Sequence, residues 1–516
     1  MIDASAPFPS LPSRTPMRVV VISAHVRLDS FCHALADAYA KGARDADCTV
    51  QLLTLAEMHF DPDVRTLSPS DQPLEPDLLT ALAALEWADH WVFVFPTWWG
   101  TGPARLKGLL DRVLLPGRAF REKPNGQLEG LMRGRTAHLV NTLDMPPWVY
   151  RWIQRAPGHQ ALRRSVLRVC GVRCTRCLAL GAVNHSTPAQ RTKWLTQAQA
   201  LGRSLTGGAL RPHQRALDMV SAWLRALRLQ FYPMSWMAYT VGALAAAQTA
   251  GAWQSSTYWF GYAALFFIKA ATVLSNERHD FASDSVNQLA GPFNGGSRVL
   301  VDGALRADQL RAASLMLLLA AALSAVPALR GADSGAALMV LLVTVVAALG
   351  YTAPPLKLCW RGLGEIDVAF THSLCVVLWG YVLQGGAWHD ALPWALSLPI
   401  GLSILPAIML SSLPDAEADQ QAGKRTLAVR FGAARASTLA AASAVTAVAA
   451  AYAVEFSGLA PGAFPTVLPW ITAHMLLLLA LLYGRCAERR GDAAAIVCAL
   501  TFILWFAGAP LWNYWV

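Results

Sequence analysis

Long apolar runs fill the second part of this chain of 516 residues and are nearly missing from the first part. From about residue 231 onward they alternate with short polar stretches, whereas residues 1 to about 205 have an ordinary globular composition. A run of about 20 apolar residues is long enough to cross a bilayer as a helix. With 54% hydrophobic and 15% charged residues, the chain is too apolar to be wholly soluble. The sequence therefore predicts a soluble domain followed by a membrane domain.

Nine apolar runs are long enough to span a membrane. If the soluble domain lies in the cytoplasm, the loop Lys and Arg residues all fall on the cytoplasmic side except Arg330. Such a bias towards cytoplasmic loops is the usual signature of membrane topology. We therefore expect a nine-helix, multi-pass protein of the inner (cytoplasmic) membrane, with its N-terminal domain and active sites facing the cytoplasm. The predicted spans are residues 231–250, 256–275, 309–328, 334–350, 367–386, 391–413, 436–454, 464–484 and 493–512.

Four segments follow from this division: a flexible N-terminus at 1–16, a soluble domain at 17–205, a basic amphipathic linker at 206–230 and a membrane domain at 231–516. The first segment has no basic stretch followed by an apolar one, so it does not predict a signal peptide. The linker mixes arginines with apolar residues at helical spacing, which favours a helix lying on an anionic membrane surface. A linker helix packed on the soluble domain would show the same pattern.

Charge and cysteine content exclude two other classes of protein. The formal charge of +10 comes mainly from the linker and the loops between apolar runs, where membrane topology places basic residues, so we expect no nucleic-acid partner. The nine cysteines form no even framework, which indicates a reducing compartment.

Asn276, Asp280 and Asp284 follow the second apolar run at a strict interval of four residues. Four helical residues rise about 6 Å and turn slightly more than once, so the three side chains would stack on one helix face. Carboxylates at the mouth of a membrane helix are costly unless a cation sits on them, and hard oxygen ligands suit Mg²⁺. The expected occupant is a metal-bound diphosphate.

Asp415 and Asp419 repeat this interval after the sixth apolar run, so a second carboxylate pair would face the first. Carboxylates would bind the metal while nearby basic groups took phosphate oxygens directly. A calcium store or cation transporter would also use such carboxylates, but it would have less need of the basic residues. The basic candidates for phosphate binding are Arg298, Lys357, Lys424 and Arg425.

The soluble domain opens as strand, loop and helix. Residues 18–24 are a β-branched run, and residues 30–40 follow with helical periodicity. The loop between them, which carries His25, Ser30 and Phe31, feeds backbone N–H groups into a helix N-terminus. A loop of this kind is a good cradle for a phosphate even without a glycine-rich motif.

A second buried-type strand at residues 91–95 runs into a loop rich in tryptophan, glycine and proline. Flat apolar side chains and exposed backbone amides are what a tricyclic flavin ring needs for stacking and for hydrogen bonds. The residues expected to border a flavin are Pro96, Thr97, Trp98, Trp99 and Gly100.

These motifs resemble the flavodoxin-like NAD(P)H:quinone oxidoreductase family, through the Pro-x-Trp-Trp-x-x-x-Pro-Ala-x-Leu-Lys-Gly stretch and the Ala-His…Ser-Phe loop. The resemblance covers residues 17–205. It implies an α/β fold with a doubly wound parallel sheet, FMN or FAD as cofactor, NAD(P)H as reductant, and a homodimer through this domain. The loop at 141–146 lacks the usual Thr-Gly-Gly, and Cys32 replaces an asparagine. A domain that keeps the fold without flavin turnover is the alternative.

The membrane domain resembles the UbiA superfamily of intramembrane prenyltransferases over residues 230–516. The matching features, in the order of the family, are the Asn276 to Asp284 ladder, the loop from Tyr351 to Lys357, and the Asp415 pair with its Gly-Lys-Arg-Thr-Leu tail. The resemblance implies transfer of a polyprenyl group from a polyprenyl diphosphate to an aromatic acceptor, with Tyr351 at the diphosphate. Glu277 stands where many members have an aspartate, so its role as a ligand is open. The Tyr351 loop looks closest to the branch that prenylates naphthoquinone precursors.

Two ionisable residues inside the predicted spans have alternative roles. Lys269 lies seven residues before Asn276, about 10 Å deeper on nearly the same helix face. It would steady the diphosphate or an acceptor oxygen, or merely snorkel. For His372 a hydrogen-bonded packing role is favoured over a functional one.

Cys170, Cys174 and Cys177 have the CxxxCxxC spacing of a radical SAM cluster. They lie in a stretch that resembles the last strand of the reductase family, with no barrel after it, so we expect ordinary cysteines rather than a cluster.

Joining the two domains has a chemical rationale. An allylic cation is attacked by an electron-rich ring such as a hydroquinone, whereas a quinone is itself an electrophile. We therefore hypothesise that the soluble domain reduces a quinone and the membrane domain prenylates the hydroquinone, at an effective concentration raised by the link. The alternatives are a membrane-held quinone reductase whose UbiA-like part only binds prenylquinone, and a non-enzymatic quinone-binding scaffold.

Overall fold

The computed structural model describes residues 16–123, 126, 128–207, 212–287, 289–291, 293–330, 333–485 and 493–515. The chain separates into two compact units, Met1–Arg215 and Ala216–Val516. Residues 1–15 of the predicted flexible N-terminus lie outside the described residues.

The first unit is built around a parallel sheet of five strands in the order β2-β1-β3-β6-β7. A short antiparallel ribbon, β4-β5, accompanies it. All seven residues of β3 are buried, as expected of a central strand that is covered on both faces. The strands are β1 Arg18–Ser23, β2 Thr49–Thr54, β3 His90–Pro96, β4 Phe120–Glu122, β5 Leu128–Gly130, β6 Thr136–Thr142 and β7 Arg173–Leu180.

Helices cover both faces of this sheet. One face packs on α2 and α3 through a cluster that includes Ile22 and Phe93, and the other packs on α1 and α4 through a cluster that includes Val21 and Val92. The alternation of neighbouring residues between the two clusters follows the two-residue period of a strand. The predicted doubly wound fold is therefore confirmed. The helices are α1 Phe31–Arg44, α2 Pro76–Trp87, α3 Ala104–Val113 and α4 Pro188–Arg203.

Helix α5, Pro212–Leu227, lies in the predicted linker. Its small residues Ala222 and Ala226 are buried against apolar residues of the second unit, and Arg225 pairs with Asp302 at 3.2 Å. This part of the helix belongs to the second unit, and its buried face packs within that unit, a contact that neither sequence-based alternative included. The placement of the helix on a membrane surface stays a prediction. A stripe of one-turn spacing stays exposed on the helix, as a membrane-surface helix requires: Leu217, Val220 and Leu224.

In its described residues the second unit consists of helices and loops, and each of the nine predicted spans overlaps a helix. Within that part of the chain, six helices are long and apolar enough to cross a membrane. The count of nine spans stays a prediction. The helices are α6 Tyr232–Ala250, α7 Ser255–His279, α8 Phe281–Val286, α9 Ala307–Leu329, α10 Ser334–Gly350, α11 Gly364–Leu383, α12 Ala391–Ser412, α13 Ala416–Ala422, α14 Leu427–Ser457, α15 Leu468–Arg485 and α16 Ala493–Trp515.

Two of these helices are irregular. Helix α11 contains a π-helical turn at Thr371–Cys375, which widens the helix where His372 lies. Helix α14 is kinked at Gly432, whose φ of 78° and ψ of 164° are not helical. The largest buried apolar cluster of the unit runs through its long helices, with Trp379 and Phe502 among its members.

Candidate active sites

The two acidic motifs of the second unit meet at one cavity of 570 Å³. Its mouth is polar, and its walls continue between the helices as apolar side chains such as Leu265, Ile404 and Leu504. The motifs are far apart in sequence, so their meeting is a property of the helical packing. All five predicted metal ligands line this cavity: Asn276, Asp280, Asp284, Asp415 and Asp419.

The first motif is not one continuous helix, which corrects the expectation from its spacing. Helix α7 ends at His279, Asp280 follows with φ of −90° and ψ of 1°, and Asp284 belongs to the separate helix α8. Backbone hydrogen bonds of helical spacing persist across the break, from the Asp280 N–H to the Asn276 carbonyl and from the Asp284 N–H to the Asp280 carbonyl, both at 2.9 Å. The three side chains therefore still face the same cavity.

Lys424 joins the two motifs. Its Nζ lies 2.8 Å from Oδ1 of Asp280 and 3.5 Å from Oδ1 of Asp419. Only 8% of this lysine is exposed, and its ammonium also lies 5.6 Å from the centre of the Trp360 ring. The carboxylates beside Lys424 raise the pKa of its ammonium, although burial alone would lower it. Lys424 is therefore a cation placed between the two acidic motifs.

Asp415 holds a loop over the site. Its Oδ1 accepts hydrogen bonds from the side-chain amides of Asn287 at 2.7 Å and Asn294 at 2.9 Å, and its Oδ2 accepts one from the Gly295 N–H at 2.9 Å. The next residue, Gly296, has a φ of +67°, and a Cβ there would lie 2.1 Å from Oδ2 of Asp284. Glycine is required at this position both by the backbone conformation and by the approach of a carboxylate.

Glu277 has a clear structural role. Its Oε2 accepts from the Ser297 N–H at 2.9 Å and its Oε1 accepts from the Val299 N–H at 3.1 Å. The side chain is 5% exposed, so these two bonds satisfy a buried carboxylate. Both oxygens fix the loop at residues 297–299, and Glu277 also lines the cavity.

Burial and mutual repulsion act on the acidic groups together. Burial, with the charges of Asp280 and Glu277, raises the pKa of Asp284 to about 7. Burial also raises the pKa of Asp419 to about 6, although Lys424 opposes the shift. Both shifts favour the protonated carboxyl, and a bound cation would favour the carboxylate instead.

The donor set fits a divalent cation that prefers oxygen, such as Mg²⁺. Asp280, Asp284 and Asp419 supply hard carboxylate oxygens at one cavity. Among the described residues, no three His, Cys, Asp or Glu side chains already converge on one metal position. Asp280 and Asp419 instead contact Lys424, and Asp415 binds the loop that carries Asn287, Asn294 and Gly295.

The predicted phosphate-binding residues fall into two groups. Lys424, Tyr351 and Lys269 line the cavity. Arg298 does not line it, and its Nη1 donates to the main-chain carbonyls of Asp284 at 3.0 Å and Asn287 at 2.9 Å, so it supports the loop. The other two, Lys357 above the Trp360 ring and the exposed Arg425, also lie outside the lining.

Three neighbours of the acidic motifs escaped the sequence analysis. Thr352 donates its hydroxyl to the Asn276 side-chain carbonyl, and Asn287 and Asn294 bind Asp415. The Asn-Gly-Gly sequence at residues 294–296 was the available signal, since it permits left-handed backbone. The sequence did not show that Asn287 and Asn294 bind Asp415, more than one hundred residues further along the chain.

In the first unit, the two predicted flavin loops flank the switch point of the sheet. The strand order reverses between β1 and β3, and ligands of doubly wound sheets bind outside the carboxyl ends of such strands. His25, in the loop after β1, and Trp98, in the loop after β3, meet edge to face with ring centres 5.5 Å apart. The two sequence motifs therefore form one surface.

The loop after β1 has the expected form of a phosphate cradle. Ser30 caps α1, and its Oγ accepts a hydrogen bond from the His33 N–H at 3.3 Å. Phe31 begins the helix and packs on Trp194 with ring centres 6.1 Å apart, while the Arg191 guanidinium lies 5.9 Å from its ring. An anion at this helix N-terminus would meet free backbone N–H groups.

The loop after β3 presents its tryptophans to solvent. Trp99 is fully exposed with a φ of 50°, and Trp98 is 43% exposed. The Thr97 N–H donates to the Thr142 carbonyl at 2.8 Å, which ties Pro96 and the start of the loop to β6. Gly100, with a φ of +83°, ends the turn close to Pro157. Exposed aromatic surface on a fixed loop is suited to stacking on a planar ring.

Asn141 is a neighbour of this surface that the sequence analysis did not assign. Its Nδ2 donates to Thr97 Oγ1 at 2.7 Å, and its Oδ1 is buried without a partner among the residues that the structure describes. A buried polar atom that lacks a partner fits a ligand able to donate a hydrogen bond. Cys32, the departure noted above, lies 3.3 Å from Thr142 Oγ1, and burial raises the pKa of its thiol to about 11.

The three clustered cysteines do not form a metal site in the described residues. Cys174 and Cys177 lie on β7, and a register shift in the pairing with β6 brings their sulfurs to 3.6 Å. Cys170 is buried at the end of a short helix before the strand. The expectation that these cysteines hold no cluster stays a prediction.

The fold and the cavity define a multi-pass helical membrane protein that carries a flavodoxin-like unit. The profile of the UbiA prenyltransferase family matches residues 235–514, and that of a flavodoxin-like fold matches residues 17–201. The chain therefore belongs to the UbiA prenyltransferase family. It is a UbiA-type prenyltransferase fused to an NAD(P)H:quinone oxidoreductase-like domain.

Named relatives match each half separately. The 1,4-dihydroxy-2-naphthoate octaprenyltransferase of Escherichia coli is 29% identical over 234 residues, 42% of this chain and 71% of that protein. The FMN-dependent NADH:quinone oxidoreductase of Ruegeria pomeroyi is 33% identical over 129 residues, 22% of this chain and 63% of that protein. Among solved structures, a UbiA homolog from Archaeoglobus fulgidus bound to GPP and Mg²⁺ is 17% identical, with a TM-score of 0.43 over 57% of this chain and all of that one.

Proposed function

We propose that the second unit transfers a polyprenyl group from a polyprenyl diphosphate to a hydroquinone-type aromatic acceptor, and that the first unit reduces the corresponding quinone. The observation that carries the proposal is the junction of two acidic motifs through Lys424 at the mouth of a cavity with apolar walls. Diphosphate requires the charged mouth, and an isoprenoid chain requires the apolar interior.

The acidic motifs would hold Mg²⁺ through Asp280, Asp284 and Asp419. Mg²⁺ bound there would neutralise the diphosphate as it leaves. Lys424 would exchange its carboxylate partners for phosphate oxygens, since its ammonium is already placed between the motifs. Asp415 would keep the 287–296 loop closed over the same group.

In the reaction, the bond between C1 of the isoprenoid and the diphosphate oxygen breaks, and a bond between C1 and a ring carbon forms. The ring carbon then loses its proton and aromaticity returns. The apolar walls around Leu265, Ile404 and Leu504 would exclude water from the allylic cation, which water would otherwise capture.

In the first unit, the surface formed by His25, Ser30, Trp98 and Trp99 would hold FMN or FAD, with the phosphate at the N-terminus of α1. The bound flavin would accept hydride from NAD(P)H and reduce a quinone. Asn141 Oδ1, which lacks a partner in the described part of the chain, would accept a hydrogen bond from the cofactor side. Support for this assignment comes from the reductase relatives named above.

The proposed setting is the cytoplasmic face of the inner membrane, with the first unit in the cytoplasm. The basic residues of the predicted loops support that orientation. A homodimer through the first unit is proposed on the same resemblance to quinone reductases.

An anaerobic assay with the full chain tests the coupling. With a naphthoquinone, a polyprenyl diphosphate, Mg²⁺ and NAD(P)H, prenylated product should form, and omission of NAD(P)H should abolish it. A chemically reduced hydroquinone should restore the product without NAD(P)H. Equal prenylation of the quinone with and without NAD(P)H would contradict the coupling.

Variants separate the two activities. Asp280→Asn should abolish prenyl transfer and leave NAD(P)H oxidation by quinone in place, whereas Trp98→Ala should do the reverse when hydroquinone is supplied. Asp308→Asn is the matched control, since Asp308 is an exposed carboxylate paired with Arg306 outside the cavity. If Asp280→Asn leaves prenyl transfer unchanged, the role assigned to Asp280 is wrong. If the wild type itself transfers no prenyl group while NAD(P)H oxidation by quinone persists, the membrane unit only binds prenylquinone and the proposed transfer is wrong.

A further inference from the structure

A polar layer lies inside the apolar part of the membrane cavity and is not needed for the diphosphate. Lys269 and His372 line the cavity from two different helices, α7 and α11. Lys269 lies seven residues from Asn276, and His372 lies seven residues from Glu365, which also lines the cavity. Seven helical residues rise about 10 Å, so both side chains lie at a similar depth below the mouth.

The neighbour of His372 favours one tautomer of its ring. The Thr371 hydroxyl has two carbonyl acceptors in the preceding turn, Asp367 at 2.8 Å and Val368 at 3.3 Å, so its proton is directed there. Thr371 Oγ1 lies 3.1 Å from His372 Nδ1, and an oxygen that acts as acceptor there places the ring proton on Nδ1. In that tautomer Nε2 carries a lone pair, and the ring lines the cavity. Thr371 and His372 both belong to the π-helical turn, a local widening that is frequent at functional sites.

Lys269 is held by contacts of its own. Its Nζ donates to the Phe231 carbonyl at 2.6 Å and to Ser235 Oγ at 2.6 Å, and it lies 5.2 Å from the centre of the Tyr232 ring. These contacts direct the amine towards α6 and the residues before it, which leaves His372 as the acceptor of the layer.

We propose that His372 Nε2 accepts a hydrogen bond from a hydroxyl of the aromatic acceptor, so that the cavity selects a hydroquinone over the quinone of the same ring. This inference rests on the proposed function, because it concerns the acceptor of that reaction. A hydroquinone brings an O–H donor to the lone pair, whereas a quinone carbonyl brings a second lone pair. In a dry cavity such a mismatch leaves two acceptors unpaired, which costs more than it would in water.

As a consequence, quinone reduction would have to precede prenyl transfer. A quinone would be rejected by the prenyl site until the reductase unit, or another source of electrons, had added two electrons and two protons. Selection by hydrogen bonding would thus keep the quinone, which cannot attack the allylic cation, out of the position for the aromatic acceptor.

Binding to the full-length protein in detergent, measured by calorimetry without prenyl diphosphate, tests the proposal. The probes are naphthohydroquinone and its dimethyl ether, both in the presence of dithionite, and naphthoquinone without reductant. The wild type should prefer the hydroquinone to the ether and to the quinone by at least about 10-fold at the cavity site. His372→Phe should abolish this preference, and His372→Gln, which retains an acceptor oxygen, should restore part of it.

The reductase unit also binds quinones, but it is the same in all variants, so the difference between wild type and variant isolates the membrane cavity. Thr371→Val should weaken the preference, because it removes the group that fixes the tautomer, while Thr371→Ser should keep it. Stabilisation of each variant by Mg²⁺ and a polyprenyl diphosphate, measured as a thermal shift, controls for folding.

A preference that persists in His372→Phe while that thermal shift is intact would overturn the proposal. Equal behaviour of Thr371→Val and Thr371→Ser would overturn the fixed tautomer. Loss of the preference in His372→Phe without any prenyl transfer by the wild type would support the acceptor site and refute the proposed transfer alone.

Discussion

Removing the charge of Lys424 should leave Asp280 and Asp419 without a positive partner at the cavity mouth. At an effective dielectric constant of about 20, Coulomb's law gives roughly 6 kcal/mol for its contact with Asp280 and roughly 5 kcal/mol for its contact with Asp419. Desolvation of the three charges offsets much of this attraction. Removing one partner of a buried ion pair typically costs about 3–5 kcal/mol, because the remaining charges are left without compensation.

Lys424→Met keeps the length and apolar stem of the side chain and removes the charge. In EDTA, its melting midpoint should fall by about 6–10 °C, from the above cost and about 2 °C per kcal/mol for a unit of this size. Mg²⁺ should then stabilise the variant more than the wild type, because the ion no longer competes with an ammonium for Asp280 and Asp419. The assay is thermal unfolding in detergent with EDTA or with increasing Mg²⁺.

Lys357→Met is the matched control. Lys357 lies 5.3 Å from the centre of the same Trp360 ring, but it forms no ion pair with a described residue. Its loss should therefore leave both the midpoint in EDTA and the response to Mg²⁺ close to those of the wild type. Equal Mg²⁺ responses of Lys424→Met and the wild type would refute the view that Lys424 occupies the place of the metal.

Three further results are expected. Gly296→Ala should weaken Mg²⁺-dependent binding of a prenyl diphosphate at least about 10-fold, since its Cβ would strike Asp284, whereas Gly303→Ala, with a similar φ and open space, should not. The pKa values of Asp284 and Asp419 are raised to about 7 and about 6, so protons should compete with the metal as pH falls. The affinity for Mg²⁺ should therefore decrease from pH 8 to pH 6. An affinity that does not change with pH would contradict this. Arg112→Met should destabilise the first unit by about 3–5 kcal/mol, seen as faster proteolysis, because this fully buried guanidinium binds a glutamate and two main-chain carbonyls.

Local patterns predicted the elements well. The buried run at 91–95 became a strand, and each long apolar run became a helix, because burial on all sides leaves a continuous apolar signal. The interval of four residues identified which side chains share the cavity. It did not reveal the break at Asp280, since hydrogen bonds of helical spacing cross the break and keep the same periodicity.

Contacts between distant residues were less predictable. Arg298 has the charge of a phosphate ligand, yet it donates to the main-chain carbonyls of Asp284 and Asn287. Asp415 has the spacing of a metal ligand, yet it fastens the loop of Asn287 and Asn294. Each outcome depends on which groups three-dimensional packing leaves without hydrogen bonds, and this information is not local in sequence.

The double hydrogen bond of Glu277 constrains how this sequence can change. An aspartate, one methylene shorter, could not reach both the Ser297 and the Val299 amides without moving the loop or the helix end. The length of the side chain at residue 277 and the backbone position of residues 297–299 therefore depend on each other. A chimera that transplants the acidic ladder into another scaffold would need to carry this distant loop with it.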